Sequence, residues 1–253
     1  MEFKDYFSSQ SGDYAKYRPN YPPALFSYLA SLPPARECAW DCGTGNGQAA
    51  LGLAPYFSRV IATDPSPQQI NNAVRHDKIS YRVATAEEPE IEPRSVDLIT
   101  VAQALHWFDR DRFYAQAKRV LKPKGVLAVW CYGLFRISPP IDEVLHHYYY
   151  DVVGRYWPLE RKLVDEKYQT IPFPFEEIST PGFAMEVEWN LADLVGYLGT
   201  WSAAQRFEKA QGVNPLLGIE QALISAWEES DKKRTITWPV YLRIGRHRKT
   251  SLA

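Results

Sequence analysis

Short, continuously apolar runs alternate with amphipathic segments through the first half of this chain. That alternation limits the possible folds more than any other feature. The run entering "WDCGTGNG", then "RVIATD", "ISYRVA", "VDLITVAQ" and "VLAVW", all have strand length and apolar content. Between them lie helical patterns. "PPALFSYLASLPP" spaces Leu25, Tyr28, Leu29 and Leu32 helically behind prolines suited to a first turn. "GQAALGLAPYF" follows the glycines, and "SPQQINNAVRH" places Ile70, Ala73 and Val74 on one face, with Ser66 as N-cap before Pro67. "DRDRFYAQAKRVLKPKG" offers Asp109 or Asp111 as a cap, groups Phe113, Ala117, Val120 and Leu121, and is expected to stop at Pro123 and Gly125. Strands without polar alternation are buried on both faces, so the pattern predicts a parallel sheet with helices on either side.

The texture changes after Trp130. Residues 134–180 are rich in proline and aromatic side chains ("HHYYYDVVGRYWP", "TIPFPFEE") and show no strand–helix alternation. Then "FAMEVEW" alternates Met185, Val187 and Trp189 with Glu186 and Glu188, the pattern of a half-exposed edge strand. Asn190 caps a helix carrying Leu191, Leu194, Val195 and Leu198, a further helix is expected near 216–229, and "TITWPVYLRIGRH" alternates Ile236, Trp238, Val240, Leu242 and Ile244 with more polar neighbours. The expected layout is one domain: 1–35 an N-terminal lid and helix, 36–133 a ligand-binding core, 134–180 a helical aromatic insertion, and 181–253 the final strands and helices.

Composition removes several partner classes. Lysine plus arginine (29) nearly balance aspartate plus glutamate (30), so no net field draws the chain to nucleic acid or to an acidic membrane. No apolar run has the length of a membrane span, and "MEFKDYFSSQ" lacks the apolar stretch of a signal peptide. Three cysteines (Cys38, Cys42 and Cys131) without a CxxC pair suit reduced thiols in a cytoplasmic protein better than a disulfide framework. No metal is expected. Cys38 and Cys42 lack a completing pair, and the adjacent histidines of "HHYYY" point to different helix faces. A small molecule is the expected partner, and the chain is read as a monomer or homodimer.

The glycine triplet narrows the ligand. Gly43, Gly45 and Gly47 follow the first apolar run, where an open parallel sheet binds ligands at the carboxyl ends of its strands. A dinucleotide fingerprint G-x-G-x-x-G would need glycine at 48, where this chain has Gln48. Asp41 precedes the loop, and a carboxylate there opposes a pyrophosphate but suits a ligand carrying an ammonium or sulfonium. Asp64, 21 positions beyond Gly43, ends the second run and is placed to take both hydroxyls of a ribose. S-adenosyl-L-methionine meets all of these conditions.

The chain resembles the class I S-adenosylmethionine-dependent methyltransferases over most of its length. The resemblance rests on "DCGTGNG" (41–47), "IATDPS" around Asp64 and Pro65, "ATAEEPEI" (84–91), "VDLITVAQALHWFD" (96–109) and "LKPKGVLAV" (121–129), in that order. It implies a Rossmann-like sheet of seven mostly parallel strands, helices on both faces, an antiparallel last strand, and a helical insertion before the last two strands. It also implies that Asp41, Gly43, Thr44, Gly45 and Gly47 pack on the methionine part of the cofactor, and that Asp64 and Pro65 border the ribose. Ala86 and Glu87 would border the adenine, and Gln103 and Ala104 the methyl-transfer site. The "YAKYRPNYP" segment (14–22) and "LVGYLGTWSA" (194–203) look like the trans-aconitate methyltransferase-like branch. They imply an N-terminal segment that closes over a small-molecule acceptor, and they suggest a carboxylic acid.

Methyl transfer from a sulfonium is an in-line displacement that depends mainly on alignment in a dry pocket. A carboxylate acceptor needs no base. A hydroxyl or carbon acceptor needs one, and His106 is the candidate catalytic residue. Tyr14, Tyr17, Arg18 and Tyr21 are candidate acceptor contacts, with Arg18 suited to a bidentate carboxylate pair; Trp107 and Trp201 are candidate pocket walls. Two other functions share these features: a cofactor-binding scaffold or regulator without turnover, and a nicotinamide-dependent oxidoreductase, which Gln48 and Asp41 disfavour.

Overall fold

The computed structural model describes residues 19–247. Its elements follow the expected alternation. Helix α1 (Pro23–Ser31) leads to β1 (Cys38–Cys42), α2 (Gln48–Leu53), β2 (Arg59–Asp64), α3 (Pro67–Asn71), β3 (Ile79–Val83) and β4 (Val96–Ala102). Next come α4 (Arg110–Val120), β5 (Leu121–Cys131), α5 (Pro139–His147), α6 (Arg161–Asp165), β6 (Glu176–Ile178) and β7 (Phe183–Trp189). The described chain closes with α7 (Leu191–Gly199), α8 (Ser202–Gln211), α9 (Glu220–Trp227) and β8 (Arg234–Arg246).

The sheet order is β3-β2-β1-β4-β5-β8-β6, with β7 also paired to β8. The first five strands in this row are parallel, and β8 runs antiparallel to β5, as the resemblance implies. The seventh position in the row is shared by two short strands. Strand β6 pairs with Ile244–Arg246 of β8, and β7 pairs with Arg234–Val240. The stretch 134–180 therefore ends in a strand that its irregular composition hid. Three residues are too few to show a period, and only the long partner β8 defines the pairing.

Two core layers flank the sheet. One holds Leu25, Leu29, Leu53, Trp130 and Trp238, beneath α1, α2 and the carboxyl-terminal helices. The other holds Trp40, Ile99, Phe113, Leu127 and Tyr168, beneath α4 and α6. Gly52 shows how closely α1 and α2 approach: a Cβ there would lie 2.2 Å from the ring of Phe26.

Local details depart from the sequence pattern in two places. Ser66 does cap α3 through the Gln69 N–H at 3.3 Å, but that helix ends at Asn71 and Val74 is 61 % exposed rather than on the buried face. Helix α4 is capped by Asp109 and stops at Val120, earlier than Pro123 and Gly125 suggested. Lys122 lies instead in β5, where it pairs with Glu37 and, at 3.0 Å, with buried Asp97. Asp97 in turn accepts the backbone N–H groups of Glu37 and Cys38 at 3.0 and 2.9 Å, which anchors the start of β1 to β4.

Candidate active site

Strand order reverses between β1 and β4, so the loops leaving their carboxyl ends diverge and open a crevice there. The loop after β1 is built on three positive φ angles, at Gly43 (+68°), Gly45 (+56°) and Gly47 (+90°), a region that favours glycine. Space enforces the choice as well. A Cβ on Gly43 would lie 2.7 Å from that of Ala104, and one on Gly47 would lie 2.3 Å from the Tyr81 hydroxyl oxygen. Gly47→Ala should therefore cost about 1–2 kcal/mol, which a urea midpoint measures.

Two carboxylates hold this loop. Asp41 is fully buried and accepts the hydroxyls of Thr44 (2.5 Å) and Thr100 (2.7 Å). Burial pushes its pKa up to about 6, against the pull of those hydrogen bonds. Asp64 accepts the Gly45 N–H on one oxygen and the Ser66 N–H on the other, both at 2.9 Å. The ends of β1 and β2 are thus stapled around the glycines.

A single cavity of about 540 Å³ opens beside the loop. This lies within the range of roughly 300–1,000 Å³ usual for small-molecule sites. One end is lined by Gly43, Thr44, Gly45, Asp64, Pro65, Ala86 and Glu87; the middle by Gln103, Ala104, His106 and Trp107; and the other end by Tyr21, Tyr149, Trp157, Arg161, Tyr197 and Trp201. Among the sequence candidates, Asp41 and Gly47 do not reach the wall; they shape the loop from behind. Tyr14, Tyr17 and Arg18 lie outside the described residues.

The middle of the cavity is tightly braced. Gln103 takes a left-handed backbone (φ 56°), and its side-chain amide both donates to the Tyr132 carbonyl and accepts the Tyr132 N–H, at 3.0 and 2.8 Å. His106 sits in a 3-10 turn, Leu105–Trp107, with Nδ1 2.7 Å from the buried Tyr168 hydroxyl. That hydroxyl also accepts the backbone N–H of His106. Its proton is satisfied only by donation to Nδ1, which leaves His106 as the Nε2–H tautomer. Burial, helped by the nearby charges of Arg161 and Arg110, lowers the imidazole pKa to about 3, so the ring is neutral. His106 thus offers the cavity an N–H donor. His106, the candidate catalytic residue, lines the cavity with its Nδ1 engaged by Tyr168.

The far end is an aromatic chamber that the sequence did not announce. After α5 the helix widens into one π turn, Tyr148–Val152, which turns both Tyr148 and Tyr149 inward. Trp201, at the start of α8, sits 5.5 Å from Trp157 and 5.6 Å from Tyr149, centroid to centroid. Arg161 enters among these rings from α6. Its position in the sequence carries no motif; only its aromatic surroundings hint that it is not an ordinary surface arginine.

Comparison with known proteins agrees with this architecture. The family described as "Methyltransferase domain" matches residues 40–129. A protein of Dictyostelium discoideum named as a methyltransferase is 38% identical over 248 residues, covering 95% of this chain and 94% of its own. A solved structure named as a type II methyltransferase, from Anaeromyxobacter dehalogenans, superposes with a TM-score of 0.87 at 45% identity, covering 91% of this chain and 98% of that one. A Saccharomyces cerevisiae protein named as an S-adenosylmethionine-dependent methyltransferase is 31% identical over 164 residues, 58% of this chain and 55% of its own. The chain belongs to the class I S-adenosylmethionine-dependent methyltransferases. Among the described residues no helix is long and apolar enough to cross a membrane.

Proposed function

We propose that this methyltransferase acts on a small-molecule carboxylic acid, with the donor at the glycine-loop end of the cavity and the acceptor at the aromatic end. The observation that carries this reading is the continuity of the cavity from Asp64, past His106, to Arg161 and Trp201. The residues present suit S-adenosylmethionine. Asp64 closes β2 on the cavity wall, and a carboxylate there suits a ribose diol. Gly43, Thr44 and Gly45 would flank the methionine part, Ala86 and Glu87 the adenine, and Asp41, behind the loop, supplies negative charge toward a cationic ligand.

When bound, the cofactor would supply a methyl group on a positively charged sulfur, which a carboxylate oxygen can take without giving up a proton. A carboxylate is the acceptor class that demands least of this site. His106 is a neutral donor, and Tyr149 and Tyr168 are phenols whose burial raises their pKa, so these groups are ill suited to take a proton near neutrality. The protein's part is to orient and to exclude water. Gln103 fixes the crossing between β4 and β5, and the aromatic rings close the far end. The three thiols are free and buried.

The test has two stages. Titration calorimetry should show binding of S-adenosylmethionine and S-adenosylhomocysteine; a folded protein that binds neither overturns the donor assignment. Transfer of a labelled methyl group to acids in a panel, and not to the matched alcohols, should then follow. The reverse preference overturns the acceptor class.

A further inference from the structure

We propose that Arg161 is the residue that selects the acceptor, and that the acceptor is a planar, conjugated monocarboxylic acid. The inference rests on the methyl-transfer reading only for which end of the cavity takes the acceptor.

The guanidinium of Arg161 is held on one side and open on the other. Its Nε donates to the Tyr149 hydroxyl at 2.6 Å, and that hydroxyl donates to Asp165 at 2.6 Å. The Asp165 carboxylate itself stays 3.6 Å from Nε, beyond a good hydrogen bond. The cation also lies over two rings, 4.8 Å from the Trp157 centroid and 5.4 Å from that of Tyr149. These contacts fix the stem and the Nε edge. The terminal nitrogens Nη1 and Nη2 make no hydrogen bond among the described residues, on a side chain that lines the cavity and is 19 % exposed. A half-buried, oriented guanidinium with two parallel donors left over is matched by a carboxylate, which accepts in bidentate fashion.

Charge and shape narrow the ligand further. Among the described residues lining the cavity the other arginine is Arg112, at the opposite end, where it pairs with Glu88 at 2.8 Å. Glu160 lines the wall next to Arg161, so a second carboxylate on the acceptor would meet a like charge. One anionic group is therefore favoured over two or three. The surrounding walls are flat. Tyr149 and Trp157 stand 5.0 Å apart at 36°, and Trp157 and Trp201 stand 5.5 Å apart at 49°. Such faces reward a flat π-system through offset and edge contacts that a puckered, saturated ligand cannot make.

The experiment uses the full chain loaded with S-adenosylhomocysteine, and five probes: trans-cinnamate, benzoate, cyclohexanecarboxylate, tricarballylate and methyl cinnamate. Cinnamate and benzoate should bind, with the saturated acid, the tricarboxylate and the ester each at least about tenfold weaker than cinnamate. Arg161→Gln should weaken the planar acids by about 10- to 100-fold, the factor expected for a lost charged hydrogen-bond pair, and should erase the preference for cinnamate over its ester. Arg161→Lys should restore part of that preference, because charge returns without the planar fork. S-adenosylhomocysteine affinity should be unchanged in both variants, which separates a lost anchor from a lost fold. If Arg161→Gln fails to fold, the acid-to-ester ratio in the wild type and in Arg161→Lys decides. Equal cinnamate affinity in wild type and Arg161→Gln overturns the role of Arg161. Failure of both planar acids to bind a cofactor-loaded protein overturns the substrate class, and failure to bind S-adenosylhomocysteine at all would instead count against the donor assignment.

Discussion

Asp64→Ala is expected to weaken S-adenosylhomocysteine binding by at least about 100-fold, close to 3 kcal/mol. Two losses combine in this variant. The first is the ribose contact, in which each hydrogen bond to a charged acceptor contributes about 1.5–3 kcal/mol. The second is internal: Asp64 holds the Gly45 and Ser66 N–H groups, each at 2.9 Å, and both lose their acceptor. The loop then has to be ordered by the ligand itself, which costs backbone entropy of about 1–2 kcal/mol per residue fixed. Asp64→Asn should fall between, because the amide keeps one acceptor oxygen but turns an NH2 toward a backbone donor. Calorimetry on the three proteins would rank them; equal affinity in wild type and Asp64→Ala would remove Asp64 from the ribose site.

His106→Gln is expected to make the protein relatively more resistant to acid. Burial holds the folded-state imidazole pKa at about 3, against about 6.5 in an unfolded chain. Between these values the unfolded state binds a proton that the native state refuses. The stability at stake is whole above pH 6.5 and drains as the pH falls toward 3. At pH 4.5 the loss is about two to three kcal/mol, and glutamine, which does not titrate, avoids it. Asp41 has the opposite sign: its pKa is raised to about 6, so its contribution is full below the unfolded value and is lost as pH rises through 6. That term is common to both proteins and cancels in the comparison. Urea midpoints at pH 7.5 and 4.5 should show the variant gaining on the wild type at the lower pH. A constant difference would mean that His106 is not held neutral.

The parallel half of the fold was readable because its determinants are local. The runs at 59–64 and 96–102 have mostly apolar centres and are buried almost throughout, and Ser66, Asp109 and Asn190 cap their helices as their side chains dictate. The capping box of α7 even adds the return bond from Asp193, which no periodic pattern reveals. What was hidden depends on tertiary partners. Strand β6 exists because β8 is long enough to serve two neighbours, and the π turn exists because Tyr148 and Tyr149 both find buried places. In the site, the motif positions 43–45, 64, 86–87, 103–104 and 106–107 do line one cavity. The spacing of Asp41 and Gly47 identified the loop correctly but could not say which atoms face inward. Arg161 and Tyr168 were missed for the same reason: each acts through a contact with a residue distant in the chain, and no spacing rule describes that.

The division of the cavity wall along the chain has an evolutionary consequence. Residues of the glycine-loop end fall between positions 43 and 112, inside the stretch matched by the broad methyltransferase family, whereas at the aromatic end all but Tyr21 come later: Tyr149, Trp157, Arg161, Tyr197 and Trp201. The later segments hang from β5, β7 and β8 by their ends and contribute little to the glycine loop. On the proposed division of the cavity, descendants of such a chain can exchange one acceptor for another by rewriting 134–230 while keeping the glycine loop intact. Change in that region should therefore read out as altered taste in substrates long before it reads out as loss of catalysis.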